Sequence, residues 1–122
     1  KGVAMFQMES IGVPVLGIVE NMSYFTPAEL PDNKYYIFGE GGAQQLAQQL
    51  NLPLLAEIPL VQSVREAADA GRPAVLQGAT PAAIAFAKMA ENVVEELNKR
   101  NVNLAATKKV EITTMSGCSS NK

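Results

Sequence analysis

The chain has 122 residues, 48% of them hydrophobic, and a formal net charge of −2, which fits one globular domain and excludes a general electrostatic affinity for nucleic acid or acidic membranes. Histidine is absent and Cys118 is the single cysteine, which excludes histidine acid–base catalysis, a Ser–His–Asp arrangement, an intrachain disulfide and a one-chain Cys/His zinc site. No apolar run reaches the roughly 20 residues that span a bilayer and no signal peptide is visible, so the cytoplasm is the expected compartment.

The opening stretch KGVAMFQMESIG starts at Lys1 without a methionine and reads as the middle of a longer chain. Val3, Met5, Phe6 and Met8 predict a short helix there, with Gly12 as its stop. VPVLGIVE, residues 13–20, is a nearly continuous apolar run and predicts a strand of a parallel sheet, with Pro14 at its start. A long loop follows, holding Asn21, Tyr24, Phe25, Tyr35, Tyr36 and two prolines. FGEGGAQQLAQQLN then switches to helical spacing through Ala43, Leu46, Ala47 and Leu50.

LPLLAEIP, residues 52–59, predicts a second short strand closed by Pro59. LVQSVREAADAG predicts a helix with Leu60, Val64 and Ala67 inward and Gly71 at its end. GRPAVLQG connects it to the clearest helix start in the chain, Thr80 as N-cap with Pro81 at the first helical position. Ile84, Ala87, Val94 and Leu97 are the expected buried stripe of that last helix, with Lys99 and Arg100 suiting its C-terminal end.

Alternation of apolar strands with helices predicts an α/β fold, a parallel sheet flanked by helices. Two strands are few for such a sheet, so further chain and exposed sheet edges prone to self-association are expected. The domain is expected over residues 1–100. Residues 101–122 read as a polar, flexible tail in which KKVEITT could form an edge strand.

Several residues could carry chemistry. The glycine turn of FGEGGAQQL could offer backbone N–H groups to a phosphate, but Ala43 and Gln44 stand where a phosphate loop has Lys and Ser or Thr, and a tight turn into the helix is the favoured reading. Asn21 lies just past an apolar run, at the level where ligands bind outside the strand ends of open α/β sheets. Its carboxamide pairs a donor with an acceptor, matching the N6 and N7 edge of adenine, although capping a turn is the simpler role. Pro59 could lay a flat apolar surface against a base, or only end its strand. Arg65 and Glu66 read as solvated helix charges, and Glu20, Glu29, Asp32 and Glu57 lack the spacing of a catalytic carboxylate pair. Cys118 is an incidental thiol unless another segment helps it ligate metal.

Taken together, GVPVLGIVENMSYF, IFGEGGAQQLAQQLNLPLLAEIPL and VREAADAGRPAV closely resemble the C-terminal half of the Mrp/ApbC-type iron–sulfur cluster carrier ATPases, relatives of MinD and ParA among the deviant P-loop NTPases. The resemblance runs from about residue 1 to about residue 100. It implies a Rossmann-like sheet, part of a P-loop NTPase domain, with ATP held between the subunits of a homodimer. Asn21 corresponds to the asparagine that reads adenine, and Pro59, Leu60 and Val61 to the loop lining the base. The phosphate loop and the acidic residues around magnesium lie upstream in the family, so ATP hydrolysis by these 122 residues alone is not expected.

Two departures matter. Many family members carry Cys-x-x-Cys after the NMSYF-like segment, and in the dimer those thiolates hold a bridging 4Fe–4S cluster. Here the two positions fall on Pro27 and Leu30, which cannot ligate iron. Family members often place Asp where this chain has Val61. The expected function is the C-terminal part of an iron–sulfur cluster carrier that serves apo-protein recipients, with no nucleic-acid or membrane partner. In that reading the chain contributes part of a dimer surface, and Tyr24, Phe25 and the Pro27–Leu30 loop form the interface that relatives in the family use for the cluster. The alternative is a MinD/ParA-like switch that dimerises on ATP without a metal cluster; a purely structural module is a third reading.

Overall fold

A computed structural model of the chain describes residues 1–8, 11–27, 29–30 and 32–106. The elements run α1 (Gly2–Phe6), β1 (Ile18–Phe25), α2 (Gly42–Leu50), β2 (Leu54–Leu60), α3 (Gln62–Asp69), a 3-10 turn (Ala74–Leu76) and α4 (Pro81–Asn103). The expected alternation holds, and β1 and β2 pair in parallel as a two-stranded sheet. Tail positions 107–122, including the KKVEITT segment and Cys118, lie outside the described residues, while α4 carries the helix three residues past position 100.

The first strand sits further along the chain than its apolar run. Residues 13–17 have no partner strand among the described residues, and pairing starts only at Ile18 opposite Leu54. From there β1 continues through Asn21 to Phe25, into the stretch expected to be loop. Apolarity marks which residues want burial, whereas a strand needs a neighbour to accept its hydrogen bonds. Gly17 marks the start of close contact. A Cβ there would lie 2.6 Å from Leu55 Cγ and 2.8 Å from the Pro53 carbonyl oxygen, so only glycine fits.

The register is Ile18↔Leu54, Val19↔Ala56, Glu20↔Glu57, Asn21↔Ile58 and Phe25↔Leu60. Between its last two pairs β1 holds three residues where β2 holds only Pro59. The surplus bulges out through Met22, whose φ of +57° is left-handed and costs a non-glycine residue on the order of 1 kcal/mol. Pro59 therefore does not close its strand as expected. It sits inside β2, at the break in the ladder where a residue lacking an N–H does least harm.

Helices α2 and α3 end by the same device. Asn51 (φ +52°) and Gly71 (φ +66°) turn left-handed, and the next residue's N–H reaches back five positions, Leu52 to the Ala47 carbonyl at 2.9 Å and Arg72 to Ala67 at 2.8 Å. Inside α3, Ala67 is buried and Val64 half-buried as expected, but Leu60 belongs to β2. The first helix is shorter than its apolar residues suggest; α1 stops at Phe6, before Met8 and Gly12.

Thr80 caps α4 as expected, its Oγ1 accepting the Ala83 N–H at 3.1 Å with Pro81 next in line. The expected buried stripe is not the one used. Ile84 (58%) and Val94 (57%) are exposed, as are Ala87 and Leu97, while Ala82 and Ala83 are buried and Phe86, Met89 and Val93 half-buried. The helix packs on β2, where Asn92 Nδ2 donates to the Leu55 carbonyl at 2.7 Å. At its exposed end Lys99 lies 2.8 Å from both Glu95 and Glu96. The Lys99 hydrogen bond, then its charge, hold the Glu95 carboxyl below the usual carboxylate range.

Among the described residues the buried apolar side chains are Ala47, Leu55, Ile58, Pro59, Ala67, Ala82 and Ala83. Four are alanines, so the elements meet by close backbone approach rather than by interlocking large side chains. Ser23, at 4% exposure, is the buried polar side chain among the described residues.

Candidate functional site

The carboxyl ends of β1 and β2 open side by side because the strands run parallel, and ligands of such sheets gather at this rim. A cavity of about 590 Å³ lies there. Tyr24, Phe25, Thr26 and Pro27 line it from the end of β1, Glu29 and Lys34 from the following loop, Pro59 and Val61 from the end of β2. Gln62 and Ser63 of the first turn of α3 and Pro81 at the start of α4 complete the wall. Three prolines and two aromatic rings make this a mostly apolar receptacle with a few polar groups at its edge.

The loop that walls the cavity is held in three ways. Phe25 and Tyr35 exchange backbone hydrogen bonds, the Phe25 N–H donating to the Tyr35 carbonyl at 2.9 Å and the Tyr35 N–H to Phe25 at 2.8 Å. The rings of Tyr24 and Tyr36 meet edge to face, centroids 6.3 Å apart. Lys34 Nζ sits 4.2 Å above the Tyr24 ring, a cation–π contact. The aromatics that the sequence left scattered along a loop thus become one clasp.

Asn21 stands in register with Ile58, the residue before Pro59, so the structure brings Asn21 and Pro59 to the same rim. Asn21 is exposed, and it is not part of the cavity wall that Pro59 and Val61 form. Its Oδ1 accepts the Met22 N–H at 3.0 Å. That bond orients the carboxamide, and the oxygen's second lone pair and both amine hydrogens remain for a ligand. Leu60 is half-buried and pairs with Phe25 instead of lining the cavity. Val61 is the N-cap of α3 and makes no capping bond, since its side chain has no acceptor.

The glycine turn before α2 has its own ligand within the chain. Gly41 adopts φ +71° and the Ala43 N–H donates to Glu20 Oε1 at 3.2 Å, so a carboxylate of β1 takes the place a phosphate would occupy. Glu20 faces Glu57 across the ladder, and the Ser23 hydroxyl lies between them, 3.2 Å from Glu20 Oε2 and 3.4 Å from Glu57 Oε1. The sequence reading missed this grouping. Ser23 and Glu57 are 34 positions apart, and only the strand register joins them. Arg65 and Glu66 are exposed as expected, Arg65 pairing with Asp69 at 3.5 Å.

Pro27 and Leu30, at the positions where the resembling family carries cysteines, form a turn in which the Leu30 N–H donates to the Pro27 carbonyl at 3.1 Å. Neither side chain has a lone pair for iron, and no cluster of three or more His, Cys, Asp or Glu able to hold a metal exists among the described residues. An iron–sulfur cluster does not fit this loop. Among the described residues, no helix is long and apolar enough to cross a membrane.

Two parallel strands joined through a helix, with further helices alongside and an apolar cavity at their carboxyl rim, define a Rossmann-like α/β fold. Comparison with known proteins narrows this. Residues 1–94 match the ParA family model described as the NUBPL iron-transfer P-loop NTPase, and the chain belongs to that family. It is 51% identical over 76 residues to the iron–sulfur cluster carrier protein of Synechocystis, covering 62% of this chain and 21% of the relative. It is 44% identical over 98 residues to the iron–sulfur cluster transfer protein NUBPL of Mus musculus, covering 80% of this chain and 30% of that one. Among solved structures it is similar to a nucleotide-binding protein from Archaeoglobus fulgidus in complex with ADP, with a TM-score of 0.50 and 38% identity, over 57% of this chain and 28% of the other. The chain therefore spans between a fifth and a third of these relatives' lengths.

Proposed function

We propose that the chain is the C-terminal portion of an ATP-binding iron–sulfur cluster carrier, supplying the adenine side of the nucleotide pocket and part of a homodimer surface. The observation that carries the reading is the alignment of Asn21 with Ile58, one residue before Pro59, at the rim beside the apolar cavity. In this reading the Asn21 carboxamide reads the N6 and N7 edge of adenine, and Pro59 with Leu60 and Val61 borders the base. The phosphates and magnesium are left to residues outside this chain. The protein works in the cytoplasm, hands clusters to apo-protein recipients, and has neither nucleic acid nor membrane as a partner.

Titration calorimetry of the full-length protein with ATP tests the adenine site. Asn21→Ala is expected to weaken binding about tenfold, the worth of one well-made amide–base contact. Unchanged affinity removes Asn21 from the site.

One observation favours a second reading. The turn at Pro27 and Leu30 offers no iron ligand, which suits a MinD/ParA-like switch that dimerises on ATP without a metal cargo. Iron and sulfide analysis of anaerobically purified full-length protein separates the two: stoichiometric iron supports the carrier, and its absence together with ATP-dependent dimerisation supports the switch.

A further inference from the structure

The bulge in β1 has to be held by something, because three residues there leave the ladder where β2 supplies one, and Met22 takes a left-handed conformation to let them do so. What holds it is the residue at its crest. Ser23 is 4% exposed, and its hydroxyl sits between Glu20 Oε2 (3.2 Å) and Glu57 Oε1 (3.4 Å). A hydroxyl has one hydrogen to donate, so it serves these carboxylates in turn rather than both at once. Glu20 reaches further with its other oxygen, accepting the Ala43 N–H of α2. The bulge is thereby tied to both strands and to the first turn of a helix.

We infer that Ser23 is a positioning residue for base recognition, fixing Asn21 on one side of the bulge and Tyr24 on the other. The inference rests on the adenine reading proposed above. Asn21 precedes Ser23 by two residues, and its amide is aimed through a bond to Met22, the left-handed residue between them. Tyr24 follows Ser23 directly, forms part of the cavity wall, and carries the Lys34 and Tyr36 contacts. Asn21 is the last paired residue before the bulge, opposite Ile58, and Met22, Ser23 and Tyr24 have no partner in the ladder until pairing resumes at Phe25. Without the Ser23 hydroxyl the segment from Met22 to Tyr24 loses its anchor, and both groups lose their aim. Ser23 itself touches no ligand.

The test uses the full-length protein and measures binding of ATP, GTP and inorganic tripolyphosphate to the wild type, Ser23→Ala, Ser23→Thr, Asn21→Ala and the Asn21/Ser23 double variant. A residue that aims the carboxamide affects the base and not the phosphates, because guanine presents two acceptors where adenine presents a donor and an acceptor. Ser23→Ala is expected to weaken ATP about tenfold, to shrink the preference for ATP over GTP, and to leave tripolyphosphate binding unchanged. Ser23→Thr, which keeps the hydroxyl, restores most of the preference. Adding Ser23→Ala to Asn21→Ala costs less than about threefold more, since positioned and positioner act as a unit.

Equal losses for ATP and tripolyphosphate, or a lowered melting temperature with the ATP preference intact, overturn the inference and make Ser23 a structural hydroxyl only. If Ser23→Ala does not fold, the Ser23→Thr and Asn21→Ala proteins carry the comparison, and a threonine variant that folds yet lacks the preference overturns it. Wild-type protein that binds no ATP overturns the adenine reading and this inference together. Wild type that binds ATP with Ser23→Ala unaffected overturns this inference alone.

Discussion

Helix α4 has two apolar faces, and the fold uses the less greasy one. Ala82, Ala83, Phe86, Met89 and Val93 turn inward, while Ile84, Ala87, Val94 and Leu97 stay exposed. Both sets follow helical spacing, so the period of the sequence admits either. The choice follows fit: alanines at the start of the helix let its backbone come close to β2, where Leu55 and Ile58 are also buried, and Asn92 reaches the Leu55 carbonyl. Hydropathy ranks faces by how much they dislike water, whereas packing ranks them by how closely they can be approached.

That contrast can be broken from its strongest side. Ala83→Leu places three extra carbons in a site that is 4% exposed and is expected to cost about 2 kcal/mol in a chemical melt. A neutral result shows that the contact with β2 is slack. Asn92→Ala removes the tie to Leu55 and is expected to cost about 1 kcal/mol, read from the denaturant midpoint at constant slope. The Ile84→Ser, Val94→Ser double variant is expected to stay within about 0.5 kcal/mol of the parent chain, because both side chains already meet water. A loss matching that of Ala83→Leu reverses the assignment of the faces.

Local chemistry was legible wherever it closed within a few residues. Thr80 followed by Pro81 names a helix start because the cap oxygen and the N–H that donates to it lie one turn apart, and the structure makes that bond. The Gly71 stop is legible for the same reason. The run 13–20 was misplaced as a strand because its pairing partner, not its own composition, decides where the ladder starts. At the candidate site, Asn21 and Pro59 could be named from their places beside apolar runs, yet their alignment awaited the register. The Glu20–Ser23–Glu57 grouping had no signature at all, since no spacing in the sequence anticipates a two-residue surplus in one strand.

The sequence by itself determined the α/β order of the elements, the capped start of α4, the absence of histidine chemistry, and the lack of iron ligands at Pro27 and Leu30. These depend on residue type or on neighbours within a turn. Only the tertiary structure decided which face of α4 is buried, where β1 begins, and which side chains meet at the carboxyl rim. Those depend on contacts between segments far apart in the chain, whose geometry is set by backbone register and close approach rather than by the local pattern.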